Sequence, residues 1–218
     1  MNGHPFDSYL TVNLDPLLAL KSRTARIPCA PKVNSYLSLD RKAIGKRSIH
    51  YLHGYIAEGM TPTRGTIVLA RSEFDEAYAD NSNLMNFLVP TLENDPIVFI
   101  GCRLREPVMK EVFPICKKHQ DKRLRAMKER EEGASAPPPR FILLAPPEVR
   151  TGLGEVDAEQ TRRAIQAEEA YYKAFDITTV WYPACEGNHS ALRYALENLA
   201  GLTPMTPKYG WEEGLYAT

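Results

Sequence analysis

Two segments constrain this chain more than any others, Pro96–Gly101 (PIVFIG) and Arg140–Ala145 (RFILLA). Each is a continuous apolar run rather than an alternation of apolar and polar residues. A strand with one wet face alternates, whereas a strand covered on both faces, as in a parallel sheet, does not. Four further short segments read as strands: SYLTV from Ser8, SIHYLH from Ser48, TIVLA from Thr66 and TTVWYP from Thr178. Helical patterns separate them. Asp15-Pro16 is suited to open a helix, because Asp caps free amides and Pro is tolerated in the first turn. Leu84, Phe87 and Leu88 form one apolar stripe, and Val108, Val112 and Ile115 form another after Pro107. The Ala-, Glu- and Gln-rich stretch Asp157–Phe175 carries Ile165, Tyr172 and Phe175, and Leu192, Leu196 and Leu199 share a last helical face. Alternating strands and helices predict an α/β fold with a mostly parallel sheet.

The 218 residues, 44% of them hydrophobic, suffice for one sizeable core or at most two small ones. Residues 1–200 read as one domain and residues 201–218 as a C-terminal tail without clear period. Gly133–Pro139 and Ala57–Gly65 read as surface loops. Lys plus Arg equals Asp plus Glu, at 27 each, so there is no general attraction to nucleic acid or anionic lipid. Lys117–Glu132 holds seven basic and four acidic residues and reads as a solvated helix face of mixed charge, ahead of a nucleic-acid patch. No apolar run has membrane-spanning length, and the first ten residues lack the form of a signal peptide, so a cytoplasmic protein is expected. Cys29, Cys102, Cys116 and Cys185 contain no C-x-x-C pair, so neither a zinc site nor another metal centre is expected, nor are disulfides.

In open α/β sheets ligands bind beyond the carboxyl ends of the strands. Asn13-Leu14-Asp15 follows the first apolar segment, His53-Gly54 the second, Gly101-Cys102-Arg103 follows PIVFI, and Glu186 to His189 follows TTVWYP. Small, polar and titratable groups therefore gather where a cleft is expected. His53 is the candidate general base, histidine being the side chain that titrates near neutrality. Gly54 beside it would let a ligand approach the backbone. From spacing alone a strand-end histidine bonding neighbouring backbone is the plainer reading. His50 lies three residues earlier, on the opposite face, and reads as structural. Asn13 could orient a water or a ribose hydroxyl, although a turn or capping role beside Asp15 is the plainer reading of that residue taken alone.

At these residues the sequence resembles a known family. Thr11 to Asp15, T-V-N-L-D, resembles the sirtuin signature T-x-N-x-D. Leu52-His53-Gly54 resembles the H-G motif that carries the catalytic histidine. Phe99 to Pro107, F-I-G-C-R-L-R-E-P, resembles the glycine turn that binds nicotinamide adenine dinucleotide (NAD) in the sirtuin-like branch of bacterial antiphage-defence proteins, whose form is close to F-I-G-Y-S-x-x-D-P. Order and approximate spacing also match, over about Ser8 to Leu199.

The resemblance implies a Rossmann-like three-layer domain with NAD as its substrate. It also implies catalytic roles for His53 and Asn13, and cofactor contacts from Thr11, Asn13, Asp15, Gly54, Gly101, Cys102 and Arg103. Sirtuins remove acyl groups from lysine; the defence branch usually lacks their zinc module and hydrolyses NAD to nicotinamide and ADP-ribose, and the missing zinc cysteines favour that second activity. The sequence departs from the pattern in three places. It contains no G-A-G-x-S loop to cradle the phosphates, which implies an N-terminally truncated domain. Arg103 replaces a small hydroxyl residue, and Ala145 stands where sirtuins place an Asn for the adenosine ribose. The chain alone is therefore expected to hydrolyse NAD very slowly or not at all. It would be completed by a protein partner, by a second copy or by a segment upstream, with a non-catalytic interaction module or a deacylase as the alternatives.

Overall fold

The structure, a computed structural model, describes residues 6–19, 32–45, 48–56, 59, 61, 65–79, 82–105, 107–129, 137–184 and 188–199. The expected tail, 201–218, lies outside them, as do Cys29, Cys185 and most of the 57–65 and 133–139 loops. Six strands are present: β1 (Ser8–Thr11), β2 (Lys32–Ser35), β3 (Ser48–Tyr51), β4 (Ile97–Ile100), β5 (Arg140–Leu144) and β6 (Thr178–Trp181). The helices are α1 (Arg71–Ala77), α2 (Asn83–Asn94), α3 (Pro107–Glu129), α4 (Ala158–Lys173) and α5 (Ser190–Leu199), with 3-10 turns at Tyr36–Ser38 and Arg41–Ala43.

The α/β class with parallel strands holds. The strands form two three-stranded parallel sheets, ordered β1-β3-β2 and β4-β5-β6, where one sheet was expected. Thr11 is in register with Tyr51, and Ile100 with Leu143. The helix α2 joins the two. Seven of its side chains are buried, from Leu84 to Leu92, leaving little polar surface, as expected of a helix enclosed by its neighbours. Phe87 packs on the His50 ring of the first sheet at 4.9 Å. The Leu92 carbonyl accepts from Arg140 Nε of β5 at 3.0 Å, while Arg140 Nη1 donates to the Phe175 carbonyl at 3.2 Å. One contiguous apolar cluster contains Leu52, Val68, Leu88, Leu104, Ile142, Leu144 and Tyr172, so β5 and the segments just past β3 and β4 share a core.

Two sequence expectations change. Thr66–Ala70 (TIVLA) is not a strand. It crosses the end of β3, where the Val68 N–H donates to the His53 carbonyl at 2.9 Å and Ile67 and Val68 turn inward. The second change concerns burial. The strand enclosed on both faces is β3, central in its sheet, although its sequence is partly polar. Its polar groups are satisfied internally: Ser48 Oγ donates to the Ala43 carbonyl at 2.8 Å and lies 2.7 Å from His50 Nε2 and 3.0 Å from Ser8 Oγ. His50 is thus structural, as its position in the strand suggests. In the second sheet Phe141 and Val180 remain 36% and 42% exposed, so the apolar run of β5 reflects central placement more than complete cover.

Candidate functional site

Parallel pairing of β1 with β3 in the Thr11–Tyr51 register carries two motifs to one rim. Asn13 lies two residues beyond the end of β1 and His53 two residues beyond the end of β3. The Leu52 N–H donates to the Thr11 carbonyl at 2.9 Å and the Ile56 N–H to the Leu14 carbonyl at 2.7 Å, so the two connections stay side by side past the strands. On this rim Thr11 and Asp15 shape the backbone: Thr11 Oγ1 accepts from the Asn13 N–H at 3.1 Å and Asp15 Oδ1 from the Leu17 N–H at 3.0 Å. Asp15 therefore caps the turn into Leu17–Ala19, the described start of the helix expected after Asp15-Pro16. Tyr51 Oη accepts from the Ala19 N–H at 3.3 Å, tying that turn to β3, and burial raises the Tyr51 pKa. The Asn13 side chain is exposed to solvent at the edge of this arrangement.

His53 is held from several sides. Its Nε2 lies 2.7 Å from Tyr78 Oη, and its ring meets Phe74 at 5.0 Å and Tyr78 at 5.8 Å, edge to face in both cases. Phe74 and Tyr78 are themselves parallel, 6.3 Å apart, at the end of α1. A hydrogen bond at one nitrogen and ring contacts with Phe74 and Tyr78 hold the imidazole in one orientation. Gly54 adopts φ +80°, and a Cβ there would lie 2.3 Å from the Thr66 carbonyl oxygen. The close approach that Gly54 allows is thus made by the chain's own 66–70 segment, which fixes the backbone on which His53 sits.

Gly101, Cys102 and Arg103 follow β4 and so occupy the end of the second sheet, not the rim shared by Asn13 and His53. Gly101 has φ +69° with nothing within 4 Å of an added Cβ, a turn open to solvent on that side. Cys102 is half-buried against the core. The turn is clamped from α4: Tyr172 Oη donates to the Arg103 carbonyl at 2.6 Å and Tyr171 Oη to the Leu104 carbonyl at 3.1 Å. Leu104 adopts φ +50°, a conformation that a bulky residue keeps only when its surroundings impose it. Buried Glu168 receives Arg105 Nη2 at 2.8 Å and Arg103 Nη1 at 3.6 Å. Burial, reinforced by the Glu168 carboxylate, pushes the Tyr172 phenol up to about 12, so it stays a proton donor at any ordinary pH.

Sequence reasoning did not single out Tyr78, Phe74, Glu168 or Tyr171, and gave Tyr172 only as part of an apolar stripe. The last two lie at the end of a helix whose apolar stripe was legible, but nothing in the local sequence marks them as partners of a turn some 67 residues away. On the fourth rim segment, Asn188 Oδ1 accepts from the Ser190 N–H at 2.9 Å, and His189 Nδ1 lies 2.9 Å from Tyr182 Oη. Among the described residues no group of three or more His, Cys, Asp or Glu is placed to hold a metal ion, and no helix is long and apolar enough to cross a membrane.

A family model described as a SIR2-like domain matches residues 7–173, which takes in the Asn13 and His53 rim, the glycine turn and all of α4. No curated relative matches the chain.

Proposed function

The chain belongs to the SIR2-like domain family, and on that premise we propose that NAD binds at the ends of β1, β3 and β4 and is cleaved at its nicotinamide–ribose bond. The observation that carries the proposal is the placement of His53, fixed by Gly54, Val68 and Tyr78, beside Asn13 on one rim. In the hydrolysis the C1′–N bond breaks and its electron pair neutralises the pyridinium nitrogen, releasing nicotinamide. Positive charge passes to the ribose, and a water oxygen forms the new bond to C1′. His53 takes the proton from that water or from a ribose hydroxyl, Asn13 orients the attacking water or the hydroxyls, and Tyr78 positions His53. ADP-ribose, nicotinamide and a proton are the products.

The glycine turn supplies the other half of the proposed site. Gly101 leaves room for close approach, and Arg103, with its side chain 57% exposed and only 3.6 Å from Glu168, is the more loosely held of the two arginines. It can lean toward a pyrophosphate while Arg105 keeps Glu168 paired. Its contribution is modest, because a half-exposed arginine already sharing a carboxylate gains little by exchanging partners. Turnover is accordingly slow, and an antiphage role would call for activation by a partner or a second copy. A non-catalytic interaction module would retain NAD binding without a chemical step. Nicotinamide release by the purified chain, with His53→Ala as control, decides between the two readings.

A further inference from the structure

The 23-residue α3 is about 34 Å long at 1.5 Å per residue. Val112, Phe113 and Cys116 bury its first half in the core. Beyond Cys116 no described side chain of the helix is buried. Residues 117–125 carry Lys117, Lys118, Lys122, Arg123 and Arg125 against the single carboxylate Asp121, and all six are exposed. Lys117 donates to the Ala174 carbonyl at 2.9 Å, and neighbouring His119 pairs with Glu93 at 2.9 Å. Among the described residues, Lys118, Lys122, Arg123 and Arg125 have neither an ion pair nor a side-chain hydrogen bond.

A solvated face of mixed charge looks different in this same chain. On α4, Arg162 and Arg163 both reach Glu159, at 2.8 and 2.9 Å. Every other described arginine outside α3 likewise engages a carboxylate or a backbone carbonyl. Like charges one turn apart on a helix repel one another, and within residues 117–125 Asp121 alone offsets five cations. Lys118, Lys122 and Arg125, spaced i, i+4, i+7, align on one stripe.

We infer that this outward face of α3 docks the phosphate backbone of duplex nucleic acid. From Lys118 to Arg125 the stripe rises about 10 Å, enough to meet roughly three phosphates of one strand at 3.4 Å each. An anionic membrane fits less well, because an interfacial helix needs an exposed apolar face to insert, and the apolar side of α3 is spent on the core. Residues 117–126 contain no Phe, Tyr or Trp on which unpaired bases could stack, and the imidazole there, His119, is paired with Glu93. Binding is therefore to the backbone, without sequence preference.

The test is a fluorescence-anisotropy titration of a labelled 20-base-pair duplex with the full chain, repeated between 50 and 200 mM salt. The expected result is saturable binding in the ~10–100 μM range at low salt, with log K falling against log salt at a slope of about −3. The combined change Lys118→Glu, Lys122→Glu, Arg125→Glu should weaken binding at least tenfold. Arg162→Glu with Arg163→Glu, which alters equally exposed arginines on α4, should leave it unchanged. Circular dichroism should show both variants folded. Absence of binding at 50 mM salt would overturn the inference. So would equal losses in the two variants, or tighter binding to phosphatidylserine vesicles than to the duplex.

Discussion

At the scale of single residues, His53 is held by a 2.7 Å contact from its Nε2 to Tyr78 Oη and by the Phe74 ring. Replacing Tyr78 by Phe removes one hydrogen bond, about 1 kcal/mol, and keeps the ring that packs on Phe74. Tyr78→Phe should therefore slow nicotinamide release roughly five- to tenfold and leave the fold, read by circular dichroism, intact. If release is unchanged while the protein remains folded, Tyr78 is packing and nothing more. His53 and Gly54 were legible in the sequence as an adjacent pair after an apolar segment. Gly54 was read as space for a ligand, yet it accommodates the Thr66 carbonyl, a contact that depends on where a distant loop returns. Tyr78 was invisible for the same reason.

At the scale of elements, α4 holds the turn after β4. Tyr171, Tyr172 and Glu168 reach its carbonyls and arginines from one helix face, their positions 168, 171 and 172 being i, i+3 and i+4. Glu168→Ala should cost about 1–3 kcal/mol, read as a lower urea midpoint. The figure is below that for a wholly buried pair because Arg103 and Arg105 are half-exposed and rehydrate. Amide exchange across residues 101–105 should quicken in the same variant. Unchanged exchange would show that the two tyrosine hydrogen bonds suffice to hold the turn. Most elements were legible where periodicity was strong: β1, β3, β4, β5, β6 and the four longer helices all follow their apolar patterns. The short strand β2 and the seven-residue α1 were not, because KVNS and RSEFDEA are too short to establish a period. TIVLA has the composition of a strand, but its Val68 N–H bonds to the His53 carbonyl past the end of β3 and its Leu69 and Ala70 N–H groups to the Glu73 carboxylate, not along a ladder, which composition cannot reveal.

For the whole molecule, two small sheets share one core through α2, and that core holds ionisable groups in their neutral forms. Burial raises the Cys116 thiol to about 11 and the Tyr172 phenol to about 12, above the ordinary values of 9.0 and 10.0. Folding favours the protonated state of each, so their contribution is fully present below pH 9 and is lost as pH rises through about 11 and 12. Urea midpoints should be level from pH 7 to 8.5 and fall progressively above pH 9; a midpoint that rises there would contradict the burial of these groups. Sequence periodicity gave the parallel α/β class, but the division into two sheets depends on long-range pairing that no local pattern encodes. It places Gly101 on a different sheet from His53, so the proposed NAD site joins two sheet ends through their common core. The most direct test of that site is chromatographic measurement of nicotinamide released from NAD by the purified 218-residue chain and by its His53→Ala variant. A slow release by the native chain that falls by about a hundredfold or more in the variant is the result predicted here. Release that is equal in the two proteins, or no release above that of buffer from either, would contradict it.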